Sequence, residues 1–286
     1  MTIPMTRTPE NRLLSLAHLT AIDLPPPALI HAAATAGFDA VGLRLLRVTP
    51  TSPGYPLMHD PALLRATQDA LRATGLRVHD IEFVKLEPDT DPAHLCAFLD
   101  TGAALGASEV ICAPYDPDLT RLADRLGALA DLAAARGLGV SLEFFPWTVV
   151  PSLEDALRVV EQAGPTVGIL VDSLHFDRST SRRETLTTLP PHRLRLAHLC
   201  DAQVAPPYTT DALLHTARED RLPPGEGEID LVDFLRALPA DLPLGLEVPM
   251  AARTARDGSD SVIRDTLRAT RDLLRRLDPP PPRRGI

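Results

Sequence analysis

The sequence predicts a single (β/α)8 barrel, and three observations carry that expectation. Short apolar runs alternate with helical segments eight times along the 286 residues, at the roughly 30-residue spacing of βα units. The runs are apolar throughout rather than alternating, as in parallel strands covered on both faces. Neither G-x-G-x-x-G nor G-x-x-x-x-G-K-[ST] occurs, which weakens the open dinucleotide-binding and P-loop alternatives.

The elements follow in order. After a Pro/Thr-rich leader, residues 12–19 read as the first strand. Pro25-Pro26-Pro27 opens a helix, since proline is tolerated in a first turn, and Gly37 closes it. Residues 38–46 form the second strand, and 48–58 a loop rich in Pro, Thr and Ser, long enough to be functional. A helix from Asp60-Pro61 to Ala73 ends at Gly75, and 76–86 is the third strand. A helix over 92–105 is broken by Gly106, and 109–115 is the fourth strand. A helix over 118–136 leads through Gly137 and Gly139 into the fifth strand, 140–145. Ser152 caps a helix over 152–163, with Asp155 at its third position.

The stretch 167–176, V-G-I-L-V-D-S-L-H-F, is the sixth strand and its end. A helix near 181–189 precedes the seventh strand, 194–200. A long segment, 201–227, follows, then a helix over 229–238, an eighth strand over 244–248 and a closing helix over 259–277. No linker divides the chain. Residues 1–286 therefore read as one domain, with the barrel over about 11–278 and a Pro-rich tail at 279–286.

Composition narrows the function. The net charge is −9, from 38 acidic against 29 basic residues, opposite to what a nucleic-acid surface needs. Three scattered cysteines make neither a disulfide framework nor a cysteine zinc site. No run reaches the roughly 18 apolar residues of a membrane span, and the N-terminus carries no apolar signal region. The expectation is a soluble cytoplasmic protein that binds neither nucleic acid nor membrane, with a homo-oligomer left open. Of the 29 basic residues only Lys85 is lysine.

In such a barrel the active site lies at the C-terminal strand ends. The fifth strand carries Glu143, the sixth Asp172 and His175, the seventh His198 and the eighth Glu247. Each polar residue interrupts an apolar run. Taken singly, each is also an ordinary strand-end residue closing a loop. Together, Glu143, Asp172, His198 and Glu247 aim three carboxylates and an imidazole at one mouth, where they would repel if left alone. One divalent cation resolves this: Mn²⁺ as first choice, with Mg²⁺, Co²⁺ and Zn²⁺ open. His175, three residues on and expected in a loop, is placed to reach a bound ligand's oxygen. Arg221 sits in the loop after the seventh strand, where a guanidinium can bind a substrate hydroxyl or carboxylate. Lys85 admits two roles, base or electrostatic donor beside the site, or ion-pair partner of Glu82 or Glu87. Trp147 is either an apolar wall for substrate or packing. His18 and Arg44 are candidates to line the mouth. His79 and Asp80 lie inside the third strand and receive no role.

These residues resemble the xylose-isomerase-like TIM barrels. Glu on strand five, D-x-x-H on strand six, His on strand seven, R-x-x-P-G-x-G in the next loop and Glu on strand eight are similar to the sugar phosphate isomerase/epimerase group. The resemblance covers nearly the whole chain. It implies one divalent metal on Glu143, Asp172, His198 and Glu247, acid–base roles for the two glutamates, and substrate contacts from His175 and Arg221. It also implies proton transfer next to a carbonyl of a keto-sugar, polyol or cyclitol through a metal-bound enediolate. An isomerase or epimerase is expected, with a dehydratase or lyase as the alternative and a non-catalytic metal-binding barrel as a third. There are departures. Ketose 3-epimerases usually carry a second Glu where Val149 stands. Endonuclease IV proteins need early-strand histidines absent from E-V-I-C-A-P-Y. Bacterial dehydroshikimate dehydratases tend to have Gln in place of His198.

Overall fold

The structure, a computed structural model, describes residues 12–49 and 51–277; the expected leader and the tail at 279–286 lie outside the described residues. Eight strands run in chain order among them: β1 Leu14–Leu16, β2 Ala40–Arg44, β3 Arg77–Leu86, β4 Glu109–Pro114, β5 Gly139–Glu143, β6 Val167–Asp172, β7 Leu194–Leu199 and β8 Leu244–Leu246. Each pairs in parallel with the next, and β8 pairs with β1, closing the barrel. The expected fold class is the observed one.

The helices are α1 Pro26–Ala36, α2 Pro61–Thr74, α3 Cys96–Ala104, α4 Leu119–Ala134, α5 Leu153–Ala163, α6 Ser173–Asp177, α7 Arg183–Thr188, α8 Thr210–Glu219, α9 Leu231–Ala237, α10 Ala251–Asp257 and α11 Ser259–Leu277. Their starts follow from the side chains in front of them. The Asp60, Asp118 and Ser152 side chains accept hydrogen bonds from first-turn N–H groups of α2, α4 and α5, donors that would otherwise lack partners. α1 ends at Gly37, whose φ of 98° is open to glycine at little cost.

Four places depart from the expected elements. β1 is shorter, because residues His18–Ala21 turn into a 3-10 helix. Thr20 anchors that turn across the barrel seam, donating to Leu246 O and accepting from Val248 N–H. The segment 201–227 contains α8, capped by Thr209. α10 lies between β8 and α11 and was not expected. His175 lies in α6 rather than a loop, because Asp172 caps a short helix there.

Strand alternation divides the interior in two. One set of strand residues, including Leu16, Leu43, Leu142, Ile169 and Leu246, packs against helix residues such as Leu29, Leu126, Val160 and Leu267 in one buried cluster. The other set points into the barrel. Leu170 and Leu196 join Phe83, Ile111 and Phe145 in a separate apolar cluster. At two inward glycines a side chain would collide with polar groups held inside the barrel. A Cβ at Gly245 would lie 2.6 Å from His198 Cδ2, and one at Gly42 2.5 Å from Asp80 Oδ1. The missing side chains make room for an imidazole and a carboxyl group inside the barrel.

Candidate metal centre and active site

Strand length and register bring the four strand-end groups together. Glu143 and Asp172 are the last residues of β5 and β6, and Glu247 directly follows β8. Asp172 pairs in register with His198, and His198 with Gly245. Their ligating atoms all lie within 4.8 Å of one another, and all four residues are buried. His198 Nδ1 stands 3.9 Å from Glu143 Oε1, 3.9 Å from Asp172 Oδ2 and 3.8 Å from Glu247 Oε2. Those separations suit groups facing a common point rather than hydrogen-bonding one another.

The electrostatics agree. Burial, then Glu247 and Asp172, pushes the Glu143 carboxyl well above the usual range. Burial and Asp172 raise Glu247, although Arg221 and Arg44 oppose them. Asp172 behaves oppositely: burial would raise it, but Arg221, His175 and His198 hold it at about 2. Burial keeps the imidazoles neutral, with His198 lowered to about 4 and His175 to about 3. Glu143 Oε1 and His198 Nδ1 are buried with no hydrogen-bond partner among the described residues. Three crowded carboxylates and a neutral imidazole with unused lone pairs fit a divalent cation.

Arg221 is wholly buried and committed to protein groups. Its Nη1 donates to Asp172 Oδ2 at 2.7 Å, its Nη2 lies 2.8 Å from Glu247 Oε2, and its Nε donates to Ala217 O. The loop is folded back to place it there by the Asp201–Leu222 and Asp220–Met250 bridges. Arg221 also forms part of the wall of the pocket above the centre, together with Glu143, Glu247, His175 and Trp147.

His175 projects its ring into that pocket. Its Nε2 is 3.8 Å from Glu143 Oε1, and its ring lies edge-on to Phe145 and Trp147, with centroids 4.8 and 5.1 Å away. Trp147 Nε1 donates to the Tyr115 hydroxyl at 3.3 Å. Lys85 stands one layer behind, its ammonium 4.6 Å from the Tyr115 ring centroid and 2.7 Å from Glu87 Oε1. It does not line the pocket itself.

Several wall residues carry no sequence signal of their own. Phe83, Tyr115 and Phe145 complete the aromatic side, and the run Phe144-Phe145-Pro146-Trp147 was the one hint of it. Arg44 does line the pocket, its Nε 3.1 Å from Glu82 Oε1 and its Nη2 3.9 Å from Glu247 Oε1. His18 does not. It supports β2 from behind, accepting the Arg44 backbone N–H on Nδ1 and donating from Nε2 to Leu24 O. Burial holds it neutral, at about 4.

The model of the family described as "Xylose isomerase-like TIM barrel" matches residues 30–273. The chain belongs to that family. Among curated relatives, it is 30% identical over 154 residues to an inosose isomerase of Bacillus velezensis, covering 50% of this chain and 52% of the relative. It is 30% identical over 139 residues to a 3-dehydroshikimate dehydratase of Pseudomonas aeruginosa, covering 48% of this chain and 21% of that protein. The chain thus spans about half the length of the first of these relatives and about a fifth of the second. Among solved structures, the IolI protein with a bound zinc atom superposes with a TM-score of 0.78 at 20% identity, over 93% of this chain and 99% of that one. A D-allulose 3-epimerase from Methylomonas sp. in complex with D-allulose gives a TM-score of 0.66 at 18% identity, over 94% and 98%. At these identities the structural likenesses speak for the shared barrel fold. No helix among the described residues is long and apolar enough to cross a membrane.

Proposed function

We propose that this protein is a divalent-metal-dependent isomerase or epimerase acting on the carbon next to a carbonyl in a keto-sugar, polyol or cyclitol. One observation carries the reading. Two buried glutamates with raised proton affinity, Glu143 and Glu247, belong to one compact ligand set and both border the same pocket. Glu143, Asp172, His198 and Glu247 would hold the cation, with Mn²⁺ the first choice and Mg²⁺, Co²⁺ or Zn²⁺ as alternatives. When bound, a divalent cation supplies Lewis-acid polarisation of a substrate carbonyl.

The protein's own groups do the rest. One glutamate takes the proton from the activated carbon and the other returns it. Return to the opposite face gives an epimer; return to the neighbouring carbon gives an isomer. Neutral His175 donates or accepts at a substrate oxygen. Arg221, bonded to both carboxylates, keeps Asp172 ionised and Glu247 oriented. The Phe145–Trp147 wall covers the apolar face of the ring or chain and keeps water from the carbon being deprotonated. Lys85, ion-paired with Glu87, stacks its ammonium on the Tyr115 ring and steadies that wall from behind. The likeness to inosose isomerases supports a cyclitol-type substrate.

A second reading, dehydration, begins with the same proton removal and ends in loss of a β-hydroxyl; the likeness to 3-dehydroshikimate dehydratases favours it. Incubating metal-loaded protein with inososes, ketoses and dehydroshikimate in deuterated water separates the outcomes. Deuterium at the α-carbon, with isomer or epimer formed, is expected. Glu143→Gln should lower turnover by about 10²–10⁴-fold. An unsaturated product moves the assignment to dehydration. Metal binding with no exchange on any of these would leave a non-catalytic barrel.

A further inference from the structure

His198 has a nitrogen that the ligand set does not use. Nδ1 is the atom facing Glu143, Asp172 and Glu247. Nε2 therefore points away, into the barrel, and is buried without a hydrogen-bond partner among the described residues. An imidazole that ligates through one nitrogen carries its proton on the other, and that N–H needs an acceptor that fixes the ring.

The unclaimed acceptors lie on the adjoining barrel wall. His198 Nε2 sits over Gly245, 2.9 Å from where a Cβ would stand. Gly245 is the register neighbour of Ser15 on β1. Ser15 Oγ is buried and also without a partner. Ser15 in turn pairs with Ala40 on β2, and two residues further along that strand the Asp80 carboxyl lies over Gly42. Neither Asp80 oxygen has a partner, although the residue is almost wholly buried. Asp80 pairs in register with Gly42 on β2 and with Glu109, the first residue of β4. His198 Nε2, Ser15 Oγ and both Asp80 oxygens are thus left unpartnered over the small residues of β8, β1 and β2. None bonds directly to another, and buried polar groups without a protein partner are the kind that ordered water satisfies where there is room for it.

We propose that this patch is a second, enclosed polar site beneath the metal centre. Ordered water there links His198 Nε2–H to Ser15 Oγ and the Asp80 carboxyl. Ser15 and Asp80 are then positioning residues: they touch neither cation nor substrate, and act by fixing the His198 ring. The inference rests on the metal reading above, and the experiment separates the two.

The dissociation constant for Zn²⁺ is measured by chelator competition, with the visible spectrum of the Co²⁺-loaded protein as a second readout of ligand geometry. The double variant Ser15→Ala/Asp80→Leu should bind roughly 10–100-fold more weakly and shift the Co²⁺ bands. Asp80→Asn, which keeps a hydrogen-bonding group of the same shape, should stay within about threefold of the parent and restore the bands. Parental affinity in the double variant, or an Asp80→Asn loss as large as that of the double variant, overturns the proposal. If circular dichroism shows the double variant unfolded, a high-resolution crystal structure of the metal-loaded parent decides. Water bonded to His198 Nε2 and to Ser15 or Asp80 is expected, and a dry gap overturns the proposal. A parent protein that binds no Zn²⁺ or Co²⁺ at all refutes the metal reading instead.

Discussion

At the scale of single residues, the candidate centre sorts four carboxylic and imidazole groups into opposite protonation states by position alone. Asp172, with Arg221 on one oxygen and two helix N–H groups on the other, stays ionised down to about pH 2. Glu143 and Glu247 hold protons above the usual carboxylate range. A cation must displace those protons, so its affinity should rise with pH. Calorimetric titration with Mn²⁺ in buffers of different ionisation enthalpy checks this: proton release should grow, and binding weaken, as the pH is lowered. Without metal the sign for stability is the reverse. The two glutamates' contribution is full below the ordinary carboxylate pKa and is lost as pH rises through their raised values. The neutral histidines oppose this on the acid side. Their contribution is present above the ordinary imidazole pKa and is lost as pH falls towards about 4 for His198 and about 3 for His175.

At the scale of elements, the strand ends were legible because each candidate ligand interrupts an apolar run, and apolar runs are where a parallel strand must lie. The place of Arg221 was not legible, since it depends on a loop returning to pair with residues twenty or more positions away. His79 and Asp80 were obscured for a local reason. Simple alternation buries one of the two, but a register shift between Val41 and Gly42 buries Asp80 and the His79 Nε2 together. His175 looked like a loop residue because α6 is only five residues long and starts straight after the strand, capped by Asp172. The glycine on β8 gives this scale its prediction. Gly245→Ala places a methyl group 2.6 Å from His198 Cδ2, in a strand whose own backbone pairing it leaves intact. The circular dichroism spectrum should be unchanged, while metal affinity drops roughly tenfold or more as the ring tilts away from its three carboxylate neighbours.

For the whole molecule, the candidate ligands come from four successive strands, β5 to β8, so one ion would bind together half of the barrel circumference. Metal at about 100 times its dissociation constant should add about 2.7 kcal/mol to unfolding. In a chain of this size that is a rise in Tm of about 5 °C. Differential scanning calorimetry with and without a chelator tests it. A Tm that ignores both metal and chelator would mean the four side chains do not share an ion.

The aromatic wall also makes the protein its own reporter. Trp147 is the only tryptophan in the sequence. It is half-buried in the pocket, edge-on to His175 and 5.1 Å from the Phe145 centroid. Selective excitation of indole emission therefore reads a single chromophore beside the proposed substrate, with no label and no background from elsewhere in the chain. Adding a ketose or cyclitol that enters the pocket should quench or shift that emission in a saturable way, even in the Glu143→Gln variant. Stopped-flow traces of the same signal would then time ligand entry separately from the proton transfers that follow.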